Sequence, residues 1–435
     1  MNRGWDCVLP SPSPPLPLSP SPPPSQMLDI NKVAKQLPGI GQHLVKETAA
    51  NQHRLQLATA SLQQAIDRQV ELAAIQQQWG NRLFFNSSVP VEPLDTRIDI
   101  AAPPPQQTVL ATDGSQIAPS HHEIAYCYLI NVGRVMIHYG QNLHPLLDSI
   151  PEVFYQQEDL YISRQWGIST EEWLGYRRAV SEATVLAELG CNWVNPPFGF
   201  EDRPESVSAV RKPRVPTLAM VDGSLVYWFL EQLPTDAREQ ILNPILAAWE
   251  ELRIAGIPIV GYLSSSRSID NLNLLRLLTC PHDVPDCPTH CADASKLPCQ
   301  QFEGVRDTTL WNTQLSPGQR SCWWQSTAKI LDWYDDRHKV YFCYLNVGTE
   351  IARVEVPAWV AQDERLSGMA LSLIIAQVNK GYGYPVALAE AHNQAVVRGA
   401  DRSSFFALLE QELIKTGLKN IGTSYKETRK RGSIA

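Results

Sequence analysis

Two short segments of this chain carry the same tripeptide in the same setting. The run Thr108–Thr112 leads into Asp113-Gly114-Ser115, and the run Thr217–Val221 leads into Asp222-Gly223-Ser224. Each apolar run reads as a strand with an aspartate at its end. Glycine lets the backbone turn away there, and the serine hydroxyl can bond to the carboxylate or to nearby backbone. In an open α/β sheet, such strand ends face the binding crevice. Two aspartates from neighbouring strands could share divalent cations. Hard ions such as Mg²⁺ or Mn²⁺ take oxygen ligands, and a pair of them can clamp the attacking and leaving oxygens of a phosphodiester. Asp-Gly-Ser is also ordinary turn chemistry, a reading that a second copy on a second strand weakens.

Further along, Pro385 suits the first turn of a helix, which places Tyr384 at the helix entrance and His392 about two turns in. A histidine there can ligate a metal or position a water, or it can simply pack. Four cysteines, Cys280, Cys287, Cys291 and Cys299, fall within twenty residues, with His282 and His290 among them. Their spacing departs from the paired CxxC of a zinc ribbon. A structural Zn²⁺ or Fe–S site, a disulfide, and unligated thiols are all open readings.

The elements that must position these groups follow from periodicity. Residues 27–84 carry apolar side chains at helical spacing and read as one or two long helices, suited to packing on the main domain or to a dimer contact. Residues 85–106 read as a linker. After the Thr108 strand, segments 123–130 and 134–139 alternate, and Asn131-Val132-Gly133 reads as the hairpin turn between them. Helices are expected over about 170–190 and 235–255, with a strand at Ile257–Leu263 after the second. Strands at 339–347 and 351–356 precede helices near 366–380 and 385–398. The fold class is therefore α/β, a mixed sheet with flanking helices in the strand, hairpin, helix, strand, helix, strand order of an RNase H-like core. Residues 1–26 are rich in Pro and Ser and read as a disordered tail. Residues 401–435 read as a C-terminal helix and basic tail.

The net charge of −8 disfavours a protein that coats nucleic acid by bulk charge, so any such contact must be local. No window approaches the length of a membrane span, nothing resembles a signal peptide, and the nine cysteines suit a reducing compartment. The expectation is a soluble, cytoplasmic protein.

The ordered set Asp113-Gly114-Ser115, Met220-Val221-Asp222-Gly223-Ser224-Leu225, Val260–Ser264, Arg353–Pro357, Gly383-Tyr384-Pro385 and Ala391-His392 resembles the NurA nuclease family, in family order from about 108 to 398. The resemblance implies an RNase H-like nuclease domain over 108–400, with the cysteine-rich stretch 280–299 as an insertion. It implies a Mn²⁺- or Mg²⁺-dependent 5′–3′ exonuclease with single-strand endonuclease activity. It also implies a homodimer that acts on DNA ends and single-stranded DNA in double-strand-break resection, beside a HerA-like hexameric ATPase. Asp113, Asp222 and His392 would hold the metal, and Tyr384 would be the active-site tyrosine. The remaining acidic ligand falls on the helix before Asp222. Glu182 fits the spacing once the 191–216 insertion is set aside, and Glu188 lies too near the helix end. Arg177, Arg178 and Arg267 are the expected DNA contacts, with Lys426, Arg429, Lys430 and Arg431 as a basic tail of lesser weight. Two other functions fit the same residues: a non-catalytic DNA-binding or translocase-docking subunit, and an RNase H-like nuclease acting on RNA.

Overall fold

The computed structural model describes residues 29–119, 125–196, 213, 215–294 and 296–417. The Pro/Ser-rich segment 1–26, most of the 191–216 insertion and the basic residues after 417 lie outside them. The chain divides into two units, Met1–Gln52 and His53–Ala435. In the first, the described residues are helical. A short helix, Ile30–Ala34, is capped by the Asp29 side chain, which accepts from Lys32 N, and a long helix begins at Leu37 and ends at Asp67. Ile40, Leu44 and Val45 are exposed there.

In the second unit the expected linker is not bare. It contributes two short strands, β1 (Ser88–Pro90) and β2 (Ile98–Asp99). They were illegible because two or three residues cannot show a period. The sheet continues with β3 (Gln107–Ile117), β4 (Tyr128–Tyr139), β5 (Leu146–Phe154), β6 (Thr217–Asp222), β7 (Ile259–Leu263), β8 (Gln319–Arg320), β9 (Trp324–Ser326), β10 (Val340–Asn346) and β11 (Ile351–Pro357). The main path runs β1-β9-β10-β11-β7-β6-β3-β4-β5. Strands β3, β4 and β5 form an antiparallel meander, while β3, β6 and β7 are parallel. Parallel neighbours need crossover helices. Thr170–Val194 joins the meander to β6, and Thr235–Ala255 joins β6 to β7. This connectivity is that of an RNase H-like core.

Alternation along the strands sorts side chains to two faces. Leu110 and Ala219 enter the cluster packed under the Thr170–Val194 and Thr235–Ala255 helices. Their neighbours Val109, Ala111, Leu218 and Met220 face the opposite cluster, under the helices Glu364–Lys380 and Val386–Ala395. Burial of both faces explains why the central strands read as continuous apolar runs. A third cluster joins Ala58, Leu62 and Leu72 to Trp311, Trp324 and Tyr344.

Two turn expectations fail. Strand β4 runs unbroken through Asn131-Val132-Gly133, so no hairpin turn lies there. Strand β3 likewise runs through Asp113-Gly114-Ser115 to Ile117, and Asp113 is not a strand end. In both cases a full antiparallel ladder, in which Asp113 pairs with Gly133, overrides local turn composition.

Candidate active site

Asp113 and Gly114 are neighbours in an extended strand, so they face opposite sides of the sheet. Asp113 points to the side of the Val386–Ala395 helix. There its Oδ2 lies 2.8 Å from His392 Nδ1, and its Oδ1 accepts the Gly114 N–H at 2.8 Å. The helix comes close because Gly133, opposite Asp113, has no side chain. A Cβ there would lie 2.4 Å from Ala391 O and from Ala395 N. The end of that helix is tied to the same strand pair. Asn131 Nδ2 donates to Ala395 O at 2.8 Å, and Ser115 Oγ donates to the same carbonyl. One of the helix's orphan carbonyls is thereby satisfied.

Gly114 faces the Thr170–Val194 helix. A Cβ on it would stand 2.3 Å from Glu182 Oε1 and 2.7 Å from Arg178 Cγ. The glycine is therefore a gap in the strand's side-chain row that the Glu182 carboxyl fills. Thr112 Oγ1 donates to Glu182 O at 3.0 Å and fixes that turn of the helix. Burial raises the Glu182 pKa to about 7; Arg178, with Nε 3.2 Å from Oε1, opposes the shift, and the charges of Asp113 and Asp222 add to it. Glu188 stands elsewhere, where its charge acts on Arg134, the partner of Asp148 at 2.6 Å.

Asp222 ends β6, and here the expected turn is real: Gly223 has φ of +127°, a conformation that disfavours any side chain. Neither serine bonds to its neighbouring aspartate. Ser224 Oγ donates to Glu355 Oε2 at 2.8 Å and accepts Val226 N–H at 3.0 Å. Glu355 also accepts Leu225 N–H at 2.8 Å, and Arg353 Nε is 2.7 Å from its other oxygen. Arg353 continues to Asp270 at 2.8 Å, and its guanidinium lies 3.5 Å from the centre of the Phe342 ring. This buried chain clamps the turn that carries Asp222. The sequence held no signal for it: Arg353 and Glu355 alternate with Ala352, Val354 and Val356, the pattern of a half-exposed strand, and only the fold shows the pair to be buried.

Burial raises the Asp222 pKa, a hydrogen bond from the Tyr384 side chain lowers it, and the Asp113 charge raises it. Tyr384 meets the Tyr262 ring edge-on at 5.8 Å between centroids. Tyr262 OH in turn donates to Glu350 Oε1 at 2.9 Å. Residues 381–384 make a tight entrance to the helix, with Tyr382 at φ +55° and Gly383 at φ +124°.

The three arginines separate. Arg178 sits against Glu182. Arg177 lies 6.0 Å from the centre of the Phe154 ring, and its charge acts on the Tyr128 hydroxyl, turned to the meander side. Arg267 is exposed on the wall of a cavity of about 600 Å³ that begins at Asp222 and also takes in Trp228, Ser264, Ser268 and Arg353. Trp228, exposed beside the site, had no periodicity to mark it.

The family model for the NurA domain matches residues 107–397, most of the chain, from the start of β3 to just past the His392 helix. The chain belongs to the NurA family. Among curated proteins nothing matches this NurA chain. Among solved structures, the NurA nuclease from Sulfolobus solfataricus aligns over 81% of this chain and 97% of its own, at 11% identity and a TM-score of 0.42. The catalytic domain of human Endonuclease V aligns over 80% and 98%, at 12% identity and a TM-score of 0.29. LC9-RNase H1, a type 1 RNase H, aligns over 41% and 72%, at 11% identity and a TM-score of 0.20. The family assignment rests on the domain match alone.

As to metal, the donor set of Asp113, Glu182, Asp222 and His392 is three carboxylates and an imidazole, which suits a hard divalent cation. Mutual repulsion of the carboxylates is a second sign of fit, since a cation would relieve it. Among the described residues no three His, Cys, Asp or Glu side chains are arranged to hold an ion. Each donor is instead held by a partner of its own: Asp113 by His392, Asp222 by Tyr384 and Glu182 by Arg178. Among the described residues no helix is long and apolar enough to cross a membrane.

Proposed function

We propose that this NurA chain is a divalent-metal-dependent deoxyribonuclease that acts on DNA ends and single strands. The observation that carries the reading is the approach of Asp113, Glu182, Asp222, Tyr384 and His392 to one another from two strands, one crossover helix and one capping helix. Mn²⁺ or Mg²⁺, held by Asp113, Glu182, Asp222 and His392, would supply charge neutralisation at the phosphate and a more acidic attacking water. His392 presents Nε2 to a ligand because Nδ1 faces Asp113. The hydrogen bond from Tyr384 orients Asp222 and leaves the phenol beside the phosphate path. Arg178 and Arg267, on either side of the carboxylates, meet flanking phosphates, each neutralised phosphate adding to affinity. Arg177 contributes less, since its guanidinium lies against the Phe154 ring. We place the protein in the cytoplasm as a homodimer with 5′–3′ exonuclease and single-strand endonuclease activity, feeding resection beside a HerA-like hexameric translocase.

The test is cleavage of end-labelled single- and double-stranded DNA with Mn²⁺, Mg²⁺ or EDTA. Asp113→Ala and Asp222→Ala are each expected to abolish cleavage with the fold intact by circular dichroism. Near wild-type cleavage by either variant in Mn²⁺ would sink the two-carboxylate mechanism. Labelled RNA of the same sequence, left intact, would place the specificity on the sugar.

A further inference from the structure

The cavity that begins at Asp222 does not end at the carboxylates. It runs along the Ser264–Ser268 loop to Asn86, Ser326 and Ala328, and those three residues also line a second cavity, of about 740 Å³. The two chambers adjoin at the end of the β1–β9 pair, where Ser88 lies opposite Ser326. Each has the size that encloses a small-molecule ligand, about 300–1,000 Å³. An unpaired nucleotide fits such a chamber, and a duplex, whose major groove alone is about 12 Å wide, does not.

The first chamber offers what a nucleotide needs. Trp228 is 64% exposed on the wall that also holds Asp222, and a bare indole there is a stacking face rather than core. Arg353 is engaged by Glu355 and Asp270, which leaves Arg267 on the same wall to meet a phosphate. Ser87 is buried, and its Oγ has no hydrogen-bond partner among the described residues. Buried polar atoms are nearly always paired, so an orphan on a cavity wall marks a place that a ligand atom can fill.

The second chamber is lined by carboxamides more than by charge, among them Gln76, Gln77, Asn81 and Gln325. Gln76 is buried, its Nε2 donates to Thr327 Oγ1 at 3.2 Å, and its Oε1 has no partner among the described residues. Carboxamides both donate and accept, as base edges do. Lys329, Lys339 and Asp332 also line this wall. Lys339 is paired with Asp336 at 2.8 Å, so the exposed Lys329 is the cation placed for a phosphate. A stacking face, neutral polar groups and scattered cations are the parts of sites for single strands, whose bases are splayed out and stacked. The chambers open from the carboxylates at one end, as the path of a polymer must and a separate metabolite site need not.

We infer that a single strand of DNA runs from the carboxylates through both chambers. The unpaired base beside the cut lies on Trp228 with its phosphate at Arg267, and the nucleotides beyond it pass over Asn86 and Ser326 toward Gln76 and Lys329. The inference rests on the nuclease reading, which places the scissile phosphate at Asp113 and Asp222.

Binding of fluorescein-labelled oligo(dT) to the full chain in EDTA, read by polarisation, tests the path without cleavage. A strand of about 16 nucleotides should bind more tightly than one of about 4, which leaves the second chamber largely empty. Trp228→Ala should weaken both about tenfold, the scale of one lost stacking face. Lys329→Glu should weaken the long strand alone by several-fold and flatten its salt dependence. Both side chains are exposed, so circular dichroism should be unchanged. Binding unaffected by both substitutions would overturn the path. So would a blunt duplex bound as tightly as the single strand, or a wild-type chain that binds no single strand. Cleavage in Mn²⁺ separates the two readings. A wild-type chain that binds in the expected pattern yet cuts no DNA loses the nuclease reading and keeps the path, whereas one that cuts while both variants bind like wild type loses the path alone.

Discussion

Asp113-Gly114-Ser115 and Asp222-Gly223-Ser224 are the same three residues, and the molecule uses them in opposite ways. In the first, the backbone stays extended, and glycine is required because Glu182 and Arg178 occupy the space of a side chain. In the second, no atom would meet a Cβ, and glycine is required because the backbone turns through φ +127°. The first serine anchors the helix that carries His392; the second holds the carboxylate that clamps its own turn. The shared tripeptide therefore has no shared backbone role: its glycine and serine serve different needs in the two places. Steric need and conformational need are indistinguishable in a sequence, because both are written as glycine.

The largest effect that tests this contrast is on activity. Gly114→Ala should displace Glu182 and lower cleavage by roughly a hundredfold, the scale of loss that follows a displacement of about 1 Å at a reacting centre. Gly223→Ala should instead cost stability, about 1–3 kcal/mol of backbone strain, with a smaller loss of rate. Steady-state cleavage alongside urea unfolding of both variants checks the pair. A Gly114→Ala enzyme as active as wild type would show that the Glu182 carboxyl is not needed where it stands.

Next in size is the clamp behind Asp222, which has no counterpart behind Asp113. Glu355→Gln leaves Arg353 facing Asp270 alone and should destabilise the protein by about 3 kcal/mol, as when one partner of a buried ion pair is removed. Asn131→Ala, which removes one of two bonds to Ala395 O, should cost about 1 kcal/mol. Equal midpoint shifts in chemical denaturation would erase the asymmetry between the two halves.

The smallest effect is on pH. The folded Glu182 pKa of about 7 lies above its ordinary value of 4.5, so the metal-free folded state binds the extra proton between them. Stability from this group is then fully present below about pH 4.5 and is lost as pH rises through 7. Glu182→Gln should flatten that part of the melting-temperature profile in EDTA. A profile unchanged by the substitution would mean that Arg178 outweighs burial.

Much of this was legible. Strand β6 and its aspartate could be read because a short apolar run, a true turn and a following helix all agree locally. Glu182 is favoured over Glu188 by the family spacing that the resemblance implies, with the 191–216 insertion set aside, and the structure sets Glu182 beside Asp113 and Glu188 near Arg134. The course of β3 and β4 could not be read, since what keeps Asp113 and Gly133 extended is the partner strand, not their own preference. Partners far along the chain hid the rest: Trp324 against Pro90, Gln319 against Asp99, Ser224 against Glu355. The cysteine spacing matched no zinc template, and the one small pocket that the four cysteines line could not be read from it.

The double attachment of Ala395 O to Ser115 and Asn131 has a consequence for motion. His392 and Asp113 ride on elements stapled to each other at two points, so they shift together when the molecule breathes. Asp222 precedes a glycine-bearing bend and Tyr384 follows one, and the Tyr384 bend lies against Thr349 and the Tyr262 ring. Amide exchange is therefore expected to be slower in 113–115 and 391–395 than in 381–384.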